Sequence, residues 1–192
     1  TPPEPGDPIT ATQQEGFARF TVAMMAHFAG RGVIWELWNE PNDGASWVNA
    51  SGARHANSTQ YAALLNAVGQ AVRGDPRTKD EVLVGPTTSG VDVAFIASVG
   101  ATGALSWLDG ISVHSYRKGG PESVLLDYFG LREELRRFPG APAALLSGEW
   151  GWAACRFPNG SATGCRSGGG AGEAVSEHEQ ASRLARQFLI ND

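Results

Sequence analysis

Stretches with apolar residues at helical spacing alternate along this chain with short apolar runs, and that alternation restricts the fold more than any single motif. Thr12-Gln13-Gln14-Glu15 has the pattern of a capping box, followed by Phe17, Phe20, Met24 and Phe28 at helical spacing until Gly30. A strand is expected over 33–38. Ser58 or Thr59 then caps a second helix with the stripe Tyr61, Leu64, Leu65, Val68 and Val72, ahead of a strand over 81–85. After a short helix, a third strand is expected over 110–116, a helix over 121–138 and a fourth strand over 143–149. Ser176-Glu177-His178-Glu179 starts a last helix through Leu184 and Phe188. The order predicts an α/β chain with a parallel sheet and crossover helices, because parallel neighbours require long connections.

With 192 residues, of which 42% are hydrophobic, the chain suffices for one domain with a real core. The formal charge of -5, with Lys and Arg scattered, offers no basic surface for nucleic acid or an anionic membrane. A neutral polymer is the better partner. No apolar run reaches the roughly 20 residues of a membrane span. The sequence starts at Thr1, which suggests a piece excised from a longer polypeptide.

Cys155 and Cys165, the two cysteines, flank a polar, loop-like segment that a disulfide could close. That expectation suits an oxidising, secreted or extracytoplasmic setting, and two reduced thiols are the alternative. Neither has the His or Cys neighbours at ligand spacing that a metal site needs, and no metal or cofactor is expected. Gly168-Gly169-Gly170-Ala171-Gly172 lacks the lysine and the preceding strand of a phosphate loop and is expected to be a loop tip.

Trp35-Glu36-Leu37-Trp38-Asn39-Glu40-Pro41-Asn42 sets carboxylic acids at the end of an apolar strand, and Ser147-Gly148-Glu149-Trp150-Gly151-Trp152 repeats the arrangement. In parallel α/β proteins, reactive residues collect at the carboxyl ends of strands. Two such acids are what glycoside hydrolysis ordinarily needs. Strand alternation places Glu36 on the same face as Glu40 but one layer deeper, where a cationic or hydrogen-bonding partner is required and a structural role is expected. Asn39 faces away from Glu40 in a regular strand, so the chain must kink for both to line one site. His114 and Tyr116 project together from the third strand. Each can bond a sugar hydroxyl or a carboxylate, although a core histidine and a packing tyrosine are the plainer alternative.

The ordered set Trp38-Asn39-Glu40-Pro41, His114-Ser115-Tyr116 and Glu149 at a strand end resembles the clan A glycoside hydrolases, most closely the family 5 cellulase-like enzymes. The resemblance implies a (β/α)8 TIM barrel, of which residues 1–192 would be a partial catalytic domain holding about strands four to seven. It further implies a retaining double displacement on β-glycosidic bonds of a polysaccharide or oligosaccharide, with Glu40 as acid/base and Glu149 as nucleophile. Glu40 then starts protonated and Glu149 ionised. On the same mapping, Asn39 holds the sugar hydroxyl beside the anomeric carbon, Tyr116 hydrogen-bonds Glu149, and His114 lines the subsite.

Trp38, Trp150 and Trp152 are candidates to stack on sugar rings, with Trp47 farther out on a loop. The chain departs from the clan pattern in lacking an early-strand arginine, a histidine on the next strand and a strand-eight tryptophan. A non-catalytic carbohydrate-binding protein, or an inactive barrel fragment, is the alternative function.

Overall fold

The computed structural model describes residues 7–44, 46–47, 56–154 and 175–191. Helix α1 (Ala11–Phe28) leads into strand β1 (Ile34–Glu36), then α2 (Ser58–Gly74), β2 (Val82–Ser89), α3 (Val93–Gly100), β3 (Gly110–His114), α4 (Leu125–Leu135), β4 (Leu145–Glu149) and α5 (Glu177–Asn191). Short 3-10 turns precede β3 (Ala104–Trp107) and α4 (Pro121–Val124). The four strands form one parallel sheet in the order β1-β2-β3-β4. Sequential order with helical crossovers is compatible with half of a (β/α)8 barrel, and equally with an open α/β sheet. Cys155, Cys165 and the glycine run 168–172 lie outside the described residues.

Paired residues of parallel strands share a face, so the register sorts the sheet into two sides. Leu83, Ile111 and Val113 point to the helices and are at most 1% exposed. The opposite face begins with Ile34 and Val82, which are 53% and 40% exposed. Helix α2 does most of the covering. Its stripe Tyr61, Leu64, Leu65, Val68 and Val72 is entirely buried, each aliphatic member contributing about 1.5–3 kcal/mol. The helix approaches so closely at Gly69 that a side chain there would overlap the ring of Trp107.

Below the sheet, Arg73 donates to the carbonyls of Lys79, Glu81 and Trp107 and pairs with Asp109 at 2.7 Å. Asp109 in turn accepts from the Leu83 amide at 2.8 Å. The start of β2 is thereby fixed to the approach of β3.

Several boundaries differ from the sequence reading. Thr10, not Thr12, caps α1, because its hydroxyl accepts from the Gln13 amide while the Gln13 side chain accepts from the Thr10 amide. Two overlapping boxes compete in this segment, and the earlier one forms. The buried face of α1 is Gln14, Ala18, Thr21 and Met25, with Phe20 58% exposed. Asn57 caps α2 by accepting from the Gln60 amide, which leaves Ser58 and Thr59 inside the helix. Strand β2 runs past Gly85-Pro86 to Ser89 instead of ending there, and its register with β3 shifts between Pro86 and Thr88. A proline donates no ladder bond, and within sheets it is found at edges, strand starts or irregularities of this kind.

Candidate active site

The site forms where the carboxyl ends of β1, β2, β3 and β4 meet, and its first requirement is a break in β1. Regular pairing stops at Glu36, after which Trp38 (φ 68°) and Glu40 (φ 45°) adopt left-handed backbone conformations unusual for residues with a Cβ. Such geometry persists only where surrounding bonds hold it. Here Tyr61 donates to the Leu37 carbonyl at 3.1 Å, and the Thr87 hydroxyl lies 3.0 Å from the Trp38 carbonyl. The Glu40 amide donates to the Thr87 carbonyl at 3.0 Å. Thr87 itself has φ 52°. The irregular end of β1 is thus bolted to the irregular part of β2.

Asn42 extends this bracing. Its side chain accepts from the Ser89 amide at 2.8 Å and donates to the Ser89 carbonyl and to Asp92 at 3.0 Å. Asp92 caps α3. The loop carrying Glu40 is therefore fixed to both the end of β2 and the start of the next helix.

From the far edge of the sheet, Glu149 arrives through a second irregularity. Val113 pairs with Ser147 but His114 pairs with Glu149, so β4 gains one residue between these pairs. In an unbroken register Glu149 would align with Ser115, which faces the helices and lies in reach of Ser147 and Tyr128. The extra residue turns Glu149 to the side of His114 instead.

The two glutamates converge on one imidazole. His114 is 1% exposed, and its Nδ1 lies 3.0 Å from Glu40 Oε1 and 3.5 Å from Glu149 Oε2. One ligand atom from each of Glu40, His114 and Glu149 falls within 4.8 Å of the other two. Tyr116 donates to Glu149 Oε2 at 3.2 Å. Partial burial first, then the charge and hydrogen bond of Glu149 and the charge of Glu40, raise the Tyr116 hydroxyl above its ordinary pKa. It therefore remains a donor well into the alkaline range.

The structure brings Glu40, His114, Tyr116 and Glu149 together, while Asn39 is exposed beside Glu40 on the turned segment. The tryptophans divide differently from the sequence reading. Trp38 donates its indole N–H to the Ser46 carbonyl and packs edge-on between Phe17 and Trp47 behind the site. Trp47 is completely buried and donates to Gln60, so it is a core residue and not part of an outlying loop wall. Trp152 is 5% exposed, donates to the Gly119 carbonyl and lies under the Arg183 guanidinium. Of the three aromatic candidates, Trp150 is the least constrained, packed edge-on against Trp152 and Phe188 and half-buried.

Glu36 reaches the open face of the sheet and accepts a very short hydrogen bond from Ser112, so its partner comes from this chain. Sequence reading missed Thr87, Asn42, Ser112 and Gly148. A polar pair such as Thr87-Thr88 directly after Gly85-Pro86 was the available hint for the first.

Two carboxylates and an imidazole at this spacing can do either of two things. They can divide acid and base roles over one substrate, or hold a divalent cation between them. No protein-family model and no curated protein sequence matches the chain.

Proposed function

We propose that the chain carries the catalytic centre of a retaining β-glycosidase acting on a polysaccharide or oligosaccharide, built on a (β/α)8 barrel. The supporting observation is the convergence of Glu40 and Glu149 on His114 Nδ1 from opposite edges of the sheet, with ligand atoms within 4.8 Å. Retaining chemistry needs carboxyl groups about 5 Å apart, whereas inverting chemistry needs room for a water between them.

Glu149, 46% exposed in its side chain, is the nucleophile: its oxygen forms a bond to the anomeric carbon as the glycosidic bond breaks. Glu40, 19% exposed, gives its proton to the departing oxygen. Glu40, now ionised, takes a proton from water, the water oxygen bonds the anomeric carbon, and Glu149 leaves as carboxylate. Tyr116 donates to Oε2 and so helps fix the orientation of the Glu149 carboxyl group before attack. His114 Nδ1 is in hydrogen-bond contact with Glu40 and lies 3.5 Å from Glu149, so both carboxyl groups sit beside one buried nitrogen on one side of the sheet.

Assay of the full-length protein on β-glucan, β-mannan and aryl β-glycosides tests this reading. Turnover that disappears in a folded Glu149→Ala variant supports it, and retained turnover removes Glu149 from the nucleophile role. Binding of oligosaccharide with no turnover in the wild type would instead indicate a carbohydrate-binding protein.

The spacing of the same three groups also favours a second reading, a metal-dependent hydrolase. Chelation separates the two: the glycosidase keeps its rate in excess EDTA, and the metal enzyme loses it and recovers with added divalent cation.

A further inference from the structure

Beneath Glu40, His114 and Glu149 lies a second group of residues from the same three strands, and the reaction proposed above uses none of them. Glu36 ends β1 four residues before Glu40, Ser112 precedes His114 on β3, and Gly148 immediately precedes Glu149 on β4. Ser112, itself fully buried, donates to Glu36 Oε1 in a very short hydrogen bond. A Cβ added at Gly148 would overlap that same oxygen and approach Glu36 Cδ to 3.0 Å and Ser112 Oγ to 2.8 Å. The carboxyl group of Glu36 therefore occupies the space a side chain at position 148 would need.

Gly148 is also the residue gained by β4 where its register against β3 shifts. One slip in register reverses the face on which every later side chain emerges. The shift is what brings Glu149 to His114. A carboxylate seated against the shifted residue, and hydrogen-bonded to the strand that supplies His114, holds both partners of that contact. Glycine at 148 leaves room for the Glu36 carboxyl group and the Ser112 hydroxyl together.

We propose that Glu36 is a positioning residue that holds the β4 irregularity against Ser112 and Gly148 and thereby aims Glu149 at His114 and Glu40. It has no contact with substrate, and for its effect on rate the inference rests on the glycosidase reading. Glutamine keeps the acceptor and the volume; alanine removes both.

The test combines kinetics with a readout independent of turnover, using the full-length protein. In Glu36→Ala, kcat falls by about 10²-fold with KM little changed, since displacement of a reacting group costs on that scale. Glu36→Gln stays within about threefold of wild type, because the amide oxygen still accepts from Ser112. Gly148→Ala is impaired, and the double variant Gly148→Ala/Glu36→Ala recovers folding stability relative to Gly148→Ala alone, because the overlapping carboxyl group is gone. In parallel, the nitrogen-15 resonance of His114 Nδ1 shifts in Glu36→Ala as Glu149 moves from it.

Additive thermal shifts in the double variant, or an unchanged His114 resonance in Glu36→Ala, overturn the proposal whether or not the protein cleaves glycosides. Unchanged kcat in Glu36→Ala also overturns it. Absence of turnover in the wild type defeats the glycosidase reading alone, and the resonance and the stability cycle still decide the role of Glu36.

Discussion

Glu40 and Glu149 reach one imidazole from opposite edges of the sheet, and the two strand ends that deliver them are built differently. The β1 end is strained and heavily braced: left-handed Trp38 and Glu40 are held by Tyr61, Thr87 and, through the following loop, Asn42. The β4 end carries no left-handed non-glycine residue and reaches its position by one added residue, with Tyr116 as the hydrogen-bond donor to the carboxylate. Glu40 is 19% exposed in its side chain and Glu149 46%. A proton donor benefits from a fixed, sheltered position, whereas a group that bonds and releases a sugar must be approached. The difference is compatible with the proposed assignment of roles, and it separates changes that disturb the fold from changes that disturb the chemistry.

The largest effect is expected from exchanging the carboxyl groups themselves. With Glu149 as the proposed nucleophile, Glu149→Gln should lower kcat by at least about 10³-fold on every substrate. Glu40→Gln should cost about 10²–10⁴-fold on glycosides with poor leaving groups and much less on activated aryl glycosides, where protonation matters little. Equal sensitivity of both variants to the leaving group would erase the distinction between the two ends.

Next comes Tyr116→Phe, which removes the donor on Glu149 but leaves its carboxylate in place. A rate loss of about tenfold is expected, corresponding to roughly 1–1.5 kcal/mol for one hydrogen bond, with thermal stability little changed. At the braced end the pattern reverses. Thr87→Val should lower stability by about 1 kcal/mol, seen in the denaturant midpoint, because the hydroxyl beside the Trp38 carbonyl is lost. A rate loss without destabilisation there would contradict the bracing.

The pH dependence of folding gives the smallest contrast. Burial, followed by the charge of Glu36, raises the Tyr61 hydroxyl far above its ordinary pKa. The unfolded chain therefore loses this proton at about pH 10 while the folded chain keeps it. Stability from Tyr61 is full below that pH and declines as pH rises above it. Urea midpoints between pH 8 and 11 should fall at the alkaline end, and Tyr61→Phe should flatten that decline while lowering the neutral midpoint.

Much of this was legible in the residues, and the remainder was hidden for physical reasons. The α2 stripe from Tyr61 to Val72 could be read because burial on a helix follows a fixed period, and all five residues are buried. The two glutamates stood out through position at strand ends. Tryptophan function did not, since an indole packs in a core as readily as on a sugar: Trp47 and Trp152 proved to be buried, and Trp38 part of the packing behind the site. Phe20 continued an apolar pattern yet faces outward, because the period fixes which residues share a face but not which way that face turns. Register shifts were equally invisible. A kink at Asn39 and Glu40 was expected from strand alternation, but the left-handed residues that make it, Trp38 and Glu40, and the added residue at Gly148 depend on neighbours far away in sequence.

The most direct measurement is mass spectrometry of the full-length protein after reaction with a 2-deoxy-2-fluoro β-glycoside, which slows release of the sugar from its covalent ester. One equivalent of fluorosugar on Glu149, formed also in Glu40→Gln when the leaving group is activated, is the predicted result. Label on Glu40 or another residue, or substrate turnover with no covalent adduct, would contradict a nucleophile at the β4 end working opposite an acid at the β1 end.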